Sequence, residues 1–372
     1  MTTIVKAADA AHFLSLIPAM LGFTPRRSLV LVPFHGVRSI GGLRLDLPRD
    51  DTDLDAFAGT CLGMICRIPD ADAFAAAIFS DDACADGLPG ADLVAALRRG
   101  ADACGVRVTD ALSVGSDGWG SHLDPDCPPG GRPLGALTPV QVSDPPPAGD
   151  QASGAELPVV DAARVAAVGD ALPALLAALD GLRVPVGAPR GTGGNRPRIH
   201  PEALAVAERL DDIVDVFEQA LATDAPTASP FLAALLVWCL SRPALRDVAI
   251  VQWSADARRG HRALQSQQRW EEGEDYPLDL ARTMWGDGPR PDPERLTRAL
   301  TLTRDVAALA PEPFRPGALA TCAWLSWALG RSTHAERYAL LALDIEPTHG
   351  LAEIVLTFVN AGHLPDWAFR RP

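Results

Sequence analysis

The sequence predicts an α/β domain, a mixed sheet with flanking helices, followed by an all-α domain that ends in a tetratricopeptide (TPR)-like helical hairpin. Three observations carry that reading. Between Ser28 and about Leu123, short apolar runs alternate with helical segments of a dozen or so residues, the spacing of crossover connections. After Pro201, apolar residues recur three or four apart, as Leu204, Ala207, Leu210, Ile213, Val214 and Phe217 do. Between these regions lies Gln141 to Pro158, poor in apolar residues and carrying Pro145-Pro146-Pro147. The expected division is an α/β domain over 1–140, a Pro/Gly-rich linker over 141–160 and a mainly helical domain over 161–372, with the hairpin at about 317–347.

Taken in order, the apolar stretch Phe13 to Phe23 reads as a helix closed by Gly22, which tolerates the positive φ of a helix end, with Pro25 fixing the next turn. Ser28 to Phe34, centred on Val30-Leu31-Val32, reads as a strand buried on both faces. A turn at His35-Gly36 leads back through a second strand, Ser39 to Leu47, to make an antiparallel hairpin. Asp50, Asp51, Asp53 and Asp55 crowd the start of a helix over Asp53 to Arg67, where carboxylates cap free N–H groups and suit the positive dipole end. The spacing Asp51-x-Asp53-x-Asp55 also opens a calcium loop. Ala56 and Leu62, however, stand where that loop needs Gly and Glu, so capping is the reading. Strand Ala73 to Ser80, helix Ala91 to Ala103, strand Val106 to Val114 and a short strand or loop through Trp119 complete the domain.

In the second half, Ala162 to Leu182 reads as one helix interrupted at Pro173, before a Gly/Pro-rich stretch from Arg183 to Pro201. Helices are expected over Glu202 to Ala222, Pro230 to Ser241, Leu245 to Trp253 or beyond, Pro293 to Ala310, Gly317 to Leu329, Thr333 to Asp344 and Gly350 to Ala361. On the tetratricopeptide template Gly330 falls at the inter-helix turn, and Ala335, Ala342 and Pro347 fall at second-helix positions. Leu319 and Ala323 depart from the first-helix pattern. One such unit makes a hairpin and not a solenoid, which needs about three repeats to bury a continuous core.

With 372 residues, 48% of them hydrophobic and 22% charged, the chain has ample material for folded domains. A net charge of −14 disfavours a broad nucleic-acid or anionic-membrane footprint, since both draw affinity from clustered cations. Lys6 is the only lysine, and the wealth of Arg, Ala, Gly and Pro is that of a GC-rich coding sequence rather than of a selected binding surface. Seven widely spaced cysteines, mostly in apolar segments, fit free thiols in a reducing compartment. No basic region and apolar core open the chain, and Phe13 to Phe23 is too short to span a bilayer, so a cytoplasmic location without membrane insertion is expected.

The opening Pro18-Ala19-Met20-Leu21-Gly22-Phe23-Thr24-Pro25, with Ser28-Leu29-Val30 and the strand end Arg44-Leu45-Asp46-Leu47-Pro48, resembles domain of unknown function 4192, an uncharacterised bacterial family. Two further places are similar to it. Trp119, Ser121, Cys127, Pro128, Gly131, Pro133 and Leu134 match a loop in which relatives carry several cysteines and this chain carries one. Ala323-Trp324, Gly330, Ala339, Ala342-Leu343 and Pro347 match the family's terminal region. The resemblance names a relative without naming a reaction.

Candidate functional residues are few. Arg44 and Asp46, two apart on one strand face near its carboxyl end, together with Asp81, mark a rim where α/β ligands bind. Trp119 and Ser121 are added from the loop. Ser121 beside His122 is no triad, because sequence neighbours on a strand point apart and a third orienting group is needed. His122, Asp124, Asp126 and Cys127 offer one thiol where a thiolate metal site takes about four ligands, so neither a metal nor a cofactor is expected. Arg190, Arg196 and Arg198 in a glycine-rich loop form the one anion-loop candidate, out of register with a phosphate-binding loop. Trp270 and Trp285, set among polar residues, are expected at the surface. The leading expectation is a non-enzymatic protein-interaction or scaffold protein with a protein partner. The alternative is an enzyme or sensor binding a small anionic or nucleotide-like ligand at the Arg44/Asp46 rim.

Overall fold

Helix α1 (Ala10–Leu21) starts where Asp9 accepts a hydrogen bond from the His12 N–H and ends where Gly22 turns left-handed at φ 83°. In the computed structural model, which describes residues 7–138, 149–182, 199–223 and 227–370, strand β1 (Ser28–His35) follows. Strands β2 (Arg38–Ser39) and β3 (Leu43–Asp46) both pair with it in antiparallel fashion. The single strand expected from Ser39 to Leu47 is therefore broken. The break falls at Gly41, whose φ of 142° only glycine adopts readily, and at Gly42, which lies close against the Met20 side chain of α1.

Helix α2 (Leu54–Cys66) is capped by Asp53, whose carboxylate accepts from the N–H groups of Asp55 and Ala56. Strand β4 (Ala73–Phe79), helix α3 (Ala91–Cys104) and strand β5 (Arg107–Val114) come next. β4 lies antiparallel to β1 and parallel to β5, which makes the sheet mixed. Strands β6 (Gly118–Ser121) and β7 (Arg132–Pro133) extend the far edge. Central β1 and β4 are covered on both sides, which is why they read as nearly unbroken apolar runs. Leu29, Leu31, Phe74, Ala76 and Ile78 pack with Leu62 and Ile65 of α2 and Leu97 of α3. On the opposite face Val30, Val32, Ala77 and Leu112 pack with Leu14 and Ile17 of α1.

The chain divides into two compact units between Ser153 and Gly154. The second is helical: α4 (Ala162–Leu182), α5 (Pro201–Glu208), α6 (Ile213–Ala222), α7 (Pro230–Leu240), α8 (Pro243–Trp253), α9 (Ala257–Glu271), α10 (Leu278–Met284), α11 (Pro293–Leu309), α12 (Pro316–Ala328), α13 (Ser332–Ile345) and α14 (Gly350–Asn360). One core runs through it, with Phe217, Trp253, Trp324, Trp327 and Tyr338 fully buried. α12 is buried at every residue from Pro316 to Ala328, so α7, α11, α13 and α14 surround it.

Three expectations are corrected here. α4 continues through Pro173; the proline removes the hydrogen bond to the Gly169 carbonyl without breaking the helix. The helix expected from Glu202 to Ala222 is two, parted by a 3-10 turn over Arg209–Asp212, because Asp212 leaves helical geometry and caps α6 by accepting from the Asp215 N–H. Beyond Trp253 a new helix begins, with Asp256 capping α9. Among the described residues, α4 alone is long and apolar enough to cross a membrane, and Val168, Leu172, Leu175 and Ala178 of that helix are buried in the helical core.

Candidate functional site

In the sheet unit, β3, β4 and β5 end on one rim, because Ser28 at the start of β1 pairs with both Asp46 and Phe79, and Phe79 pairs with Val114. Arg44, Asp46 and Asp81 all lie there. The Arg44 guanidinium is nearly covered, at 9% side-chain exposure. It donates from Nε to the Ser28 hydroxyl at 2.8 Å and forms an ion pair with the exposed Asp46. Ser28 in turn donates to the Arg26 carbonyl at 2.7 Å. Asp81 pairs with Arg26 at 3.7 Å, both of them exposed. The cations of this rim therefore already have carboxylate partners, an arrangement that clips strand ends together.

Trp119 and Ser121 stand on β6, separated from β3 by β1, β4 and β5, about 19 Å at ordinary strand spacing. Trp119 is buried, with the Arg132 guanidinium 5.5 Å from its ring centroid, and Arg132 is held by Asp124 at 2.6 Å. That hydrogen bond holds the Asp124 carboxyl below the usual carboxylate range. The Ser121 hydroxyl donates to Asp110 at 2.6 Å and accepts from the Leu123 N–H. The five rim and loop candidates are thus placed in two separate groups.

Sequence reasoning missed a serine–histidine contact on the same strand pair. Ser113 is buried and its hydroxyl donates to the Pro89 carbonyl at 2.7 Å, while His122 Nε2 lies 2.8 Å from the same oxygen. A hydroxyl has one proton, and Pro89 takes it, so Nε2 must be the donor to Ser113. An imidazole that donates to a serine cannot activate it as a general base. Burial lowers the pKa of His122 and favours this neutral form. The pair ties β5 and β6 to the start of α3.

In the helical unit, an apolar cavity of about 180 Å³ lies between α4 and the start of α7, lined by Ala163, Arg164, Val168, Thr227, Pro230 and Leu309. Its single charged group, Arg164, donates to the Thr227 carbonyl at 3.2 Å. A second feature gathers Arg304, Arg331 and Tyr338. Burial and the neighbouring Arg304 lower the Arg331 guanidinium, and burial pushes the Tyr338 phenol up to about 12. The Tyr338 hydroxyl and Arg304 Nε are buried with no hydrogen-bond partner among the described residues. Trp270 and Trp285 are 55% and 56% exposed. Among the described residues no group of three or more His, Cys, Asp or Glu side chains is placed to hold a metal ion. Arg190, Arg196 and Arg198 lie outside the described residues.

Fold and candidate sites define a two-unit protein class: a mixed α/β sheet whose rim charges are internally paired, and a helical unit built around one buried helix. The family model described as a domain of unknown function (DUF4192) matches residues 11–275, and the chain belongs to that family. The matched span runs from α1 through α9, so the resemblance read at Ala323-Trp324, Gly330, Ala339, Ala342-Leu343 and Pro347 lies beyond it. No curated protein and no solved structure matches the chain.

Proposed function

We propose that the protein is a non-enzymatic interaction or scaffold protein that holds a protein partner on its helical unit. The observation that supports this reading is the distribution of exposed apolar side chains. Among the described residues, the large exposed hydrophobics Trp270, Trp285, Phe314, Leu340, Leu341 and Ile354 belong to the helical unit, whereas the sheet unit exposes only Met20 and Val37. Exposed aromatics and leucines on a rigid helical frame are the raw material of a protein interface. The α12–α13 pair, joined through Gly330 at φ 76°, supports a TPR-like presentation of Leu340 and Leu341. The double variant Leu340→Glu, Leu341→Glu is expected to lose the partner captured by the tagged full-length chain while melting as the parent does. A folded variant that retains every partner overturns the reading.

A second reading rests on the shared rim of Arg44, Asp46 and Asp81: a small anionic or nucleotide-like ligand bound there, with Arg26 exchanging its carboxylate partner for the ligand. A ligand present at a hundred times its Kd adds about 2.7 kcal/mol to folding stability, so thermal-shift screening checks it. Shifts that survive Arg44→Ala and Asp46→Ala remove the rim from consideration.

A further inference from the structure

Of the seven cysteines, Cys61, Cys84, Cys239 and Cys322 are buried, Cys127 is half-buried, and only Cys66 and Cys104 are exposed. Those two are neighbours. Cys66 is the last residue of α2 and Cys104 the last residue of α3. β3 and β4 both run antiparallel to β1, so they run in the same direction, and α2 and α3, which each return from one strand to the next, lie side by side and parallel. Gly100 sets their register: a Cβ there would overlap the Leu62 side chain, so the two helices touch at Leu62 and Gly100. One helical turn further on, at i+4 on each helix, that register brings Cys66 level with Cys104. The two thiols are near enough for Cys104 to add to the burial that raises the Cys66 thiol.

We infer that Cys66 and Cys104 form a redox-modifiable dithiol that closes to an intramolecular disulfide when the protein meets a peroxide. The step is balanced. One thiolate attacks a peroxide oxygen, the O–O bond breaks, and the departing hydroxide leaves as water after taking a proton, giving a sulfenic acid. The second thiolate displaces hydroxide from that sulfur, which also leaves as water. Two thiols thus lose two protons and two electrons, and one hydrogen peroxide becomes two waters. Placing the two thiols level on neighbouring helices makes the second step outrun further oxidation, because the resolving sulfur is held nearby. Both cysteines sit at helix ends that carry partial negative charge, and burial followed by Cys104 raises the Cys66 thiol. Closure therefore accelerates as pH rises. The bond joins the exits of both crossover helices of the sheet unit.

The test treats the reduced full-length chain with hydrogen peroxide, then counts free thiols, digests without reductant and identifies linked peptides by mass spectrometry. The expected result is the loss of two titratable thiols, a peptide pair joining Cys66 to Cys104, and full recovery with dithiothreitol. Cys66→Ser and Cys104→Ser, both at exposed positions, are expected to remain folded, to lose that linked pair and to carry sulfinic acid on the surviving thiol. Sulfinic acid on both cysteines of the parent protein, or a linked pair that uses another cysteine, overturns the assignment.

Discussion

Gly100 and Gly317 serve the same purpose in the two units, letting one helix approach its neighbour, yet what they press against differs. In the sheet unit a Cβ at Gly100 would meet the Leu62 side chain, which can rotate away. In the helical unit a Cβ at Gly317 would meet the carbonyl of Leu240 and the Cα of Ser241, which can move only if α7 and α12 part. At these two contacts the sheet unit meets a side chain that can yield and the helical unit meets backbone. Gly317→Ala is accordingly expected to cost about 3 kcal/mol as overpacking, read as a lower denaturant midpoint for the helical transition. Gly100→Ala is expected to be close to neutral. The strain on Leu62 is offset by the roughly 1 kcal/mol that Ala gains over Gly within a helix. Equal losses at the two sites would break the contrast.

Two ion pairs, one in each unit, differ in how they meet solvent. Arg99 and Asp55, which link α3 to α2, are 62% and 69% exposed, and such a pair is worth at most about 0.5 kcal/mol. Arg295, only 13% exposed, grips both carboxylate oxygens of Glu218 at 2.7 and 2.6 Å. Fully buried Gln252 donates to the same carboxylate and to the Val214 carbonyl. The network joins α6, α8 and α11, and the Arg295 contact chiefly holds the Glu218 carboxyl below its usual range. Arg295→Met is expected to destabilise the helical unit by about 2 kcal/mol, since hydrogen bonds to charged groups carry more than neutral ones. Arg99→Met is expected to leave the sheet unit within about 0.5 kcal/mol of the parent. Chemical denaturation at low and high salt sharpens the comparison, because the exposed pair is screened and the covered one is not.

How much of this was legible depended on the range of the interaction. β1 was readable to within a residue because a β-branched run buried on both faces is a local signal. The break at Gly41-Gly42 was not, since the positive φ of Gly41 and the packing of Gly42 on Met20 of α1 appear only in the folded chain. Ile213 and Val214 keep the apolar period running past Asp212, so periodicity concealed the cap that divides α5 from α6. Arg44 and Asp46 were visible as a pair because residues two apart share a strand face, whereas the Ser28 hydroxyl that anchors Arg44 arrives only with the β1–β3 register. Cys66 and Cys104, like Ser113 and His122, meet through packing of elements whose register no local pattern encodes.

One histidine in each unit has its pKa lowered by burial, and their titration bears on the two units. Burial depresses the pKa of His122 in the sheet unit. Burial, reinforced by Arg246, depresses that of His349, which caps α14 by accepting from the Ala352 N–H. In the unfolded chain both titrate near 6.5, so the unfolded state binds protons first on acidification. Their contribution to stability is complete above about pH 6.5 and is lost as pH falls through the lower folded values. Asp247, beside His349, runs the other way: burial raises its pKa, so the folded state takes up that proton more readily and acid favours it. Each histidine is expected to make its own unit lose stability as pH falls below about 6.5. Thermal melts across that range, compared with His122→Gln and His349→Asn, check this. His122→Gln is expected to flatten the sheet unit's slope, and His349→Asn, which keeps a capping oxygen, to flatten the helical unit's.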